Sequence, residues 1–186
     1  MSKRQLFGGN WYCDETNAWQ YIDETTLPTL ERDMVPLVMG GGYFELEMPA
    51  GVKALTCEQG VNGEPEDLRV HFGRDPGDWT TLRHYQRLIN IFPADANPAG
   101  QTTTPTPAKS IGRVVFLKGL LTSYQPSAVK GLKATGTTRL RWSSIVLYHD
   151  IVDGRTIHKF DVQNNTLIIN GVNYTAEHNR LLAING

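Results

Sequence analysis

Five histidines, two cysteines, a serine pair and two closely spaced carboxylates are the residues of this chain whose types could do chemistry. His71, His84, His149, His158 and His178 are scattered, with no His-Glu-x-x-His run and no second ligand one helical turn away, so their spacing describes neither a metal cage nor a poised base. His149 and His158 flank one predicted hairpin and could face each other across it, which an ordinary cross-strand polar pair explains equally well. Cys13 and Cys57 form no Cys-x-x-Cys pair and have no histidine nearby in a metal-ligand spacing, which reads as two free thiols. Ser143-Ser144 lies inside a predicted strand, without the strand-to-helix elbow that exposes a nucleophile, and reads as packing. Gly40-Gly41-Gly42 lacks the lysine and hydroxyl of a phosphate-binding loop and precedes a strand where such a loop should precede a helix; it reads as a hinge. Glu45 and Glu47 project from one strand face and could divide acid and base work, but a solvated face is the simpler reading. No catalytic residue, cofactor-binding residue or metal ligand is assigned, and no cofactor is expected.

The elements that would position these residues are mostly strands. Trp19, Tyr21 and Asp23 alternate against Gln20, Ile22 and Glu24, the pattern of a strand exposed on one side. Pro28 removes a ladder donor and pushes Leu27 to an extended conformation, so the chain leaves the sheet there. Residues 31–42 carry Met34, Val35, Leu37, Val38 and Met39 beside Pro36 and end in three glycines, an apolar yet flexible stretch that suggests either an extended arm seeking a partner or a loop over the chain's own core. Tyr43 to Met48 alternates, with Phe44, Leu46 and Met48 expected inside and Tyr43, Glu45 and Glu47 outside; Pro49-Ala50-Gly51 then turns the chain into a second short strand at 53–59.

Asp75-Pro76-Gly77-Asp78 has the chemistry of a helix start, and Trp79, Leu82, Tyr85 and Ile89 recur at three- and four-residue intervals, which predicts a short packed helix. Residues 93–109, rich in proline and threonine, read as a surface loop. Strand signal returns with Val114-Val115-Phe116-Leu117 and runs longest from Arg139 to Val152, apolar on both faces in its middle and so central. Asp153-Gly154 is the strongest hairpin signal, folding Ile157 to Val162 back on Ile145 to Ile151. Leu167-Ile168-Ile169 makes a last strand, Asn170-Gly171 turns out of it, and Asn173 or Thr175 can cap a closing helix. The class is mainly β, a barrel or sandwich with short helices, in one domain spanning 1–186.

Composition sets the outer bounds. An apolar content of 40% is enough for a folded core, and a net charge of −1 supplies no basic footprint for tight binding to nucleic acid. No signal-peptide core and no apolar run of the ~18 residues a span needs is visible, so membrane insertion is not expected and assembly in the cytoplasm is.

Two stretches carry a family resemblance. Thr26-Leu27-Pro28-Thr29-Leu30, followed by the charged and apolar arm, resembles the opening segment of phage major tail tube proteins, with its Leu-Pro-x-Leu motif. Leu117-Lys118-Gly119-Leu120-Leu121, the strand through Tyr148, the Asp153-Gly154 hairpin, Phe160-Asp161 and Ile169-Asn170-Gly171-Val172-Asn173 before a terminal helix resemble the tube proteins of contractile-tailed phages and R-type pyocins. The resemblance covers residues 17–60 and 110–184; the longer stretch at 10–17 and the 93–109 insertion depart from it.

The resemblance implies a β-barrel subunit and no enzyme. It implies hexameric rings stacked into a tube within a contractile sheath and around a tape-measure protein, ending at baseplate and tail-terminator proteins, with DNA passing through the lumen. The protein would be part of the virion, the phage tail. Leu30, Met34, Val35, Leu37, Val38 and Met39 would form the inter-subunit, ring-stacking arm, and Glu45 and Glu47 would line the lumen, where negative charge keeps DNA from sticking. A tailocin or type VI secretion tube shares this architecture. From another class, a monomeric β-sandwich ligand-binding module would show the same strands, with Trp11, Trp19 and Tyr21 as its binding face.

Overall fold

The computed structural model describes residues 4–38, 40–41, 43–90, 110–127 and 136–184. The proline- and threonine-rich segment at 93–109 and Met39 lie outside the described residues.

Two 16-residue strands, β8 (Ser110–Gln125) and β9 (Thr137–Val152), pair antiparallel and form the axis of the molecule. On one side β8 pairs with β7 (Thr80–Asn90), which pairs with β1 (Arg4–Cys13), which ends on the two-residue β2 (Thr16–Asn17). On the other side β9 has two partners in succession. Its first half, through Trp142, pairs with β6 (Cys57–Asn62), and β6 with β3 (Ile22–Thr26); its second half, from Leu147, pairs with β10 (Arg155–Asp161). From β10 the sheet continues through β11 (Thr166–Ile169) to β12 (Val172–Asn173). The long apolar strand is therefore central, as its sequence requires, and it belongs to two diverging leaves.

The leaves part where β9 bulges. Ser144 to Val146 stand opposite Gly119 alone, and Ser144 takes the left-handed conformation, φ 51°. Gly119 is dictated by this geometry, because a Cβ there would come within 3.0 Å of the Ser143 carbonyl oxygen and 3.1 Å of Ile145 Cγ1. The Asp153-Gly154 turn forms as predicted, with φ of 52° and 76°, the positive pair of a two-residue hairpin turn. Asn170-Gly171 repeats it between β11 and β12, with φ of 49° and 83°.

One face of the strands buries a single cluster. Trp11 and Cys13 of β1, Cys57 and Val61 of β6, Leu82 of β7, Val115 and Leu117 of β8, and Leu140, Trp142 and Tyr148 of β9 meet in it. Two polar pairs are tied down in and beside the core: the Trp142 indole N–H donates to Gln59 Oε1 at 2.7 Å, and Arg113 grips the buried Asp150 with two bonds of 2.8 Å.

Several expectations are corrected. The segment after Asp75-Pro76 is β7 and not a helix: the three- and four-residue spacing of Trp79, Leu82, Tyr85 and Ile89 is incidental, and the buried set Thr80, Leu82, His84 has the period of a strand. The packed helix is instead the single turn α1 (Glu66–Arg69), which buries Leu68 behind Pro65. The closing helix α2 (Ala176–Leu181) forms, with Thr175 at its N-cap position, although the Thr175 hydroxyl accepts the Leu167 N–H and caps nothing. Trp19 and Tyr21 sit in a turn before β3 and not on a strand.

Candidate functional site

Residues 31–52 leave the main sheet, and their structure explains why they expose so much apolar surface. β4 (Arg32–Leu37) pairs antiparallel with β5 (Leu46–Val52) in an isolated two-stranded ribbon, with Met34 opposite Pro49, Pro36 opposite Glu47 and Leu37 opposite Leu46. A ribbon has two free edges, so Pro36 and Pro49 can lie within it where a central strand would reject them. Gly41, at φ 82°, lies in the turn, where the glycine run places it. The base is clamped by Lys53, whose Nζ lies 3.1 Å from Glu31 and 3.9 Å from Asp33.

Of the residues assigned to the arm, Leu30 lies just before β4, Met34, Val35 and Leu37 lie on it, and Val38 follows it; all are exposed, Val38 at 72%. The second strand of the arm was missed. Tyr43 to Met48 does not cover the core: Phe44 is 86% exposed and Tyr43 96%, and Leu46 and Met48 face solvent with them. Pro49-Ala50-Gly51 is no turn but part of β5, and the chain reaches β6 only at Cys57. Pro49, directly after the alternating run, was the available signal, since a proline in a strand marks an edge that no neighbour covers. Glu45 and Glu47 share this hairpin, Glu47 on β5 and Glu45 just before it, so the supposed division into a dry and a wet face does not exist there.

An isolated two-stranded ribbon is at best marginally stable in water, and contiguous exposed apolar surface of this kind marks a protein interface. At its base the ribbon forms one wall of a cleft of about 800 Å³, which opens at the bulge of β9 between β10, β11 and α2. Val52, Leu55, Tyr148, Phe160, Leu167 and Tyr174 give it an apolar lining.

The titratable groups describe a scaffold. His71 is buried, with Nδ1 3.4 Å from Thr80 Oγ1 and 3.5 Å from Asp14 Oδ2. A proton relay needs one partner on each ring nitrogen, and here threonine and aspartate crowd the same one. Asp14 serves structure, accepting from the Thr81 N–H at 2.8 Å and from Arg74 at 3.2 Å, while Arg83 donates to its backbone carbonyl. Burial lowers the pKa of His71, and burial with the nearby Arg113 charge lowers that of His84 to about 4. His149 and His158 do not face each other: a bulge in β10 sets Lys159 opposite His149 and Asp150 opposite His158. His149 Nε2 lies 2.9 Å from Thr156 Oγ1, and His158 stacks on Phe160. Burial raises both thiols, Cys57 to about 12 and Cys13 beyond it, so neither is poised as a nucleophile. No cluster among the described residues could hold a metal ion. Trp11 is fully buried, which removes it from any aromatic binding face and leaves Trp19 and Tyr21 exposed by themselves.

No curated protein matches the chain. Two solved structures are similar to it, each over 77% of this chain at a TM-score of 0.49. One is the sheath/tube terminator of an extracellular contractile injection system, PVC, in its extended state, at 9% identity over 91% of its length. The other is the sheath-tube complex of that system, at 10% identity over 86%. The model of the family described as phage tail tube protein FII matches residues 3–182, nearly the whole chain. A match over residues 3–182 places this chain in that family of tail tube proteins, and the role of the family is structural and not enzymatic.

Proposed function

We propose that copies of this chain assemble into hexameric rings, and that the rings stack into the tube of a contractile tail, through which phage DNA passes on ejection. The observation that carries this reading is the β4–β5 hairpin, a ribbon whose apolar residues on both strands are exposed in the single chain. A surface of that kind on a member of a tube-forming family is a contact between copies. The sheath protein outside, the tape-measure protein inside and the baseplate and terminator proteins at the ends are the further partners. DNA would pass without being gripped, since the net charge of −1 gives no excess of cations to neutralise phosphates. Assembly would take place in the host cytoplasm, and the finished subunit would reside in the virion.

Negative-stain electron microscopy of the purified protein at rising concentration tests this. Hollow tubes or stacked rings with six-fold end views are expected. Persistent monomers, with or without a tail initiator complex, would overturn the assembly, and end views of another symmetry would overturn the hexamer.

A further inference from the structure

Residues 63–79 join β6 to β7 and so cross between leaves, since β6 pairs with the first half of β9 and β7 with the first half of β8. The crossing is thinly attached. Leu68 and His71 are the residues it buries, Val70 and Phe72 are 67% and 54% exposed, and its single helical turn α1 has no side-chain cap. We propose that this crossing is a strap that opens as a unit while the sheets stay folded, with the Asp14 carboxylate as its latch and His71 as the group through which acid releases it. Segments with few buried apolar contacts and few bonds to the rest of a fold open at a lower free energy than the whole chain unfolds. The strap belongs to the single chain, so its opening does not depend on assembly.

Asp14 is fixed by the sheet and reaches for the strap. It follows β1 with φ 51°, donates its N–H to the Thr81 carbonyl at 2.7 Å and takes the Thr81 N–H on Oδ1 at 2.8 Å. The other carboxylate oxygen meets the strap, where Arg74 Nη1 donates to it at 3.2 Å and His71 Nδ1 lies 3.5 Å away. Among the described residues, three further ties hold the strap between Glu64 and Trp79. They are the contact of His71 with Thr80 at 3.4 Å, the packing of Leu68 in the core, and the bridge of Phe72 to Leu121 on the edge of β8 that β7 leaves free.

In the closed strap His71 is 4% exposed, its ring centroid 6.3 Å from that of Trp142. The charged groups around it are Asp14 from the turn after β1 and Arg74 and Asp78 from the strap itself. Thr80 of β7 and Trp142 of β9 are neutral, and burial keeps the Cys13 and Cys57 thiols protonated. Burial, and after it Arg74, lowers the His71 pKa, and Asp14 with Asp78 offsets this only in part. An open strap returns the imidazole to water and its ordinary 6.5, so opening takes up a proton below that pH. The closed strap is fully favoured above pH ~6.5 and loses ground as the pH falls below it.

Amide hydrogen exchange of the dilute, intact chain, corrected for intrinsic rates, tests this. The hydrogen-bonded amides from Leu68 to Phe72 should be at least about tenfold less protected than those of β8 and β9, which report unfolding of the whole chain. Their protection should fall by up to about tenfold between pH 7.5 and pH 5.5. That fall should survive His84→Gln and vanish in His71→Gln. At pH 7.5, Asp14→Asn and, separately, Arg74→Gln should each lower it at least about threefold, a modest figure because both partners are partly exposed. Arg74→Gln leaves the bonds between Asp14 and Thr81 in place, so it tests the latch even where Asp14→Asn fails to fold. Protection equal to that of β8 and β9 would overturn the strap, and unchanged protection in Arg74→Gln would overturn the latch. A fall that persists in His71→Gln would overturn the acid release.

Discussion

His84 shows how a buried polar side chain that catalyses nothing still shapes the protein's response to pH. It sits on β7 between Trp11 and Val115, 5% exposed, and its Nδ1 has no hydrogen-bond partner. Its pKa falls from 6.5 to about 4, so between those values the unfolded chain binds a proton that the folded chain refuses. Stability is unaffected above pH ~6.5 and declines as the pH drops through that window. His71 adds in the same direction. Denaturant titration at pH 7.5 and pH 5.0 should show a loss of about 2 kcal/mol traceable to His84, at ~1.4 kcal/mol per unit. His84→Gln should remove most of that difference, and an unchanged difference would assign the acid sensitivity to other groups. The sequence gives no hint of this behaviour. His84 stands among Arg83, Tyr85 and Arg87 in the sequence, and it is buried because a strand sends alternate side chains to opposite faces.

The elements whose backbone geometry is specified by residue type were legible in advance. Asp153-Gly154 and Asn170-Gly171 form their turns because few other pairs tolerate two successive positive φ angles. The β7 strand was misread as a helix because its buried positions include Thr80 and His84, which carry no hydropathy signal and left only an accidental three-residue spacing in view. The bulge of β9 was equally silent, since two serines advertise neither a left-handed residue nor the glycine that must oppose it. The pairing of Ser144 with Gly119 has a consequence at this scale. Gly119→Ala should destabilise the chain by ~1–3 kcal/mol, because the new methyl must displace the Ser143 carbonyl or Ile145. Ser144→Gly should be neutral or stabilise by up to ~1 kcal/mol, since it relieves a left-handed serine. Thermal unfolding of both variants checks the pair, and an undiminished Gly119→Ala would mean that the bulge moves freely.

For the whole molecule, the body and the arm were legible to different degrees for one physical reason. A sequence pattern reports the surfaces a chain buries in itself, so the mainly β body and its central strand could be read. The arm buries nothing in its own fold, and its second strand was accordingly taken for a core strand with Phe44, Leu46 and Met48 inside. Body and arm should separate experimentally. Replacing residues 34–48 by a two-residue turn removes no member of the core cluster, so the melting temperature should stay within about 5 °C of the parent. Tubes should then be absent from electron micrographs at concentrations where the parent forms them; tubes of normal yield would acquit the arm of any part in assembly. The fork at β9 bears on how such an object carries force. A pull along the β8–β9 axis loads one long ladder in shear, so its many hydrogen bonds must yield together, whereas a pull on the ribbon peels its few pairs singly. Tension entering through the arm passes along the chain into β3 and β6 and reaches β9 through its first half, Thr137 to Trp142. A strained assembly of such subunits would come apart at its joints while each body kept its shape.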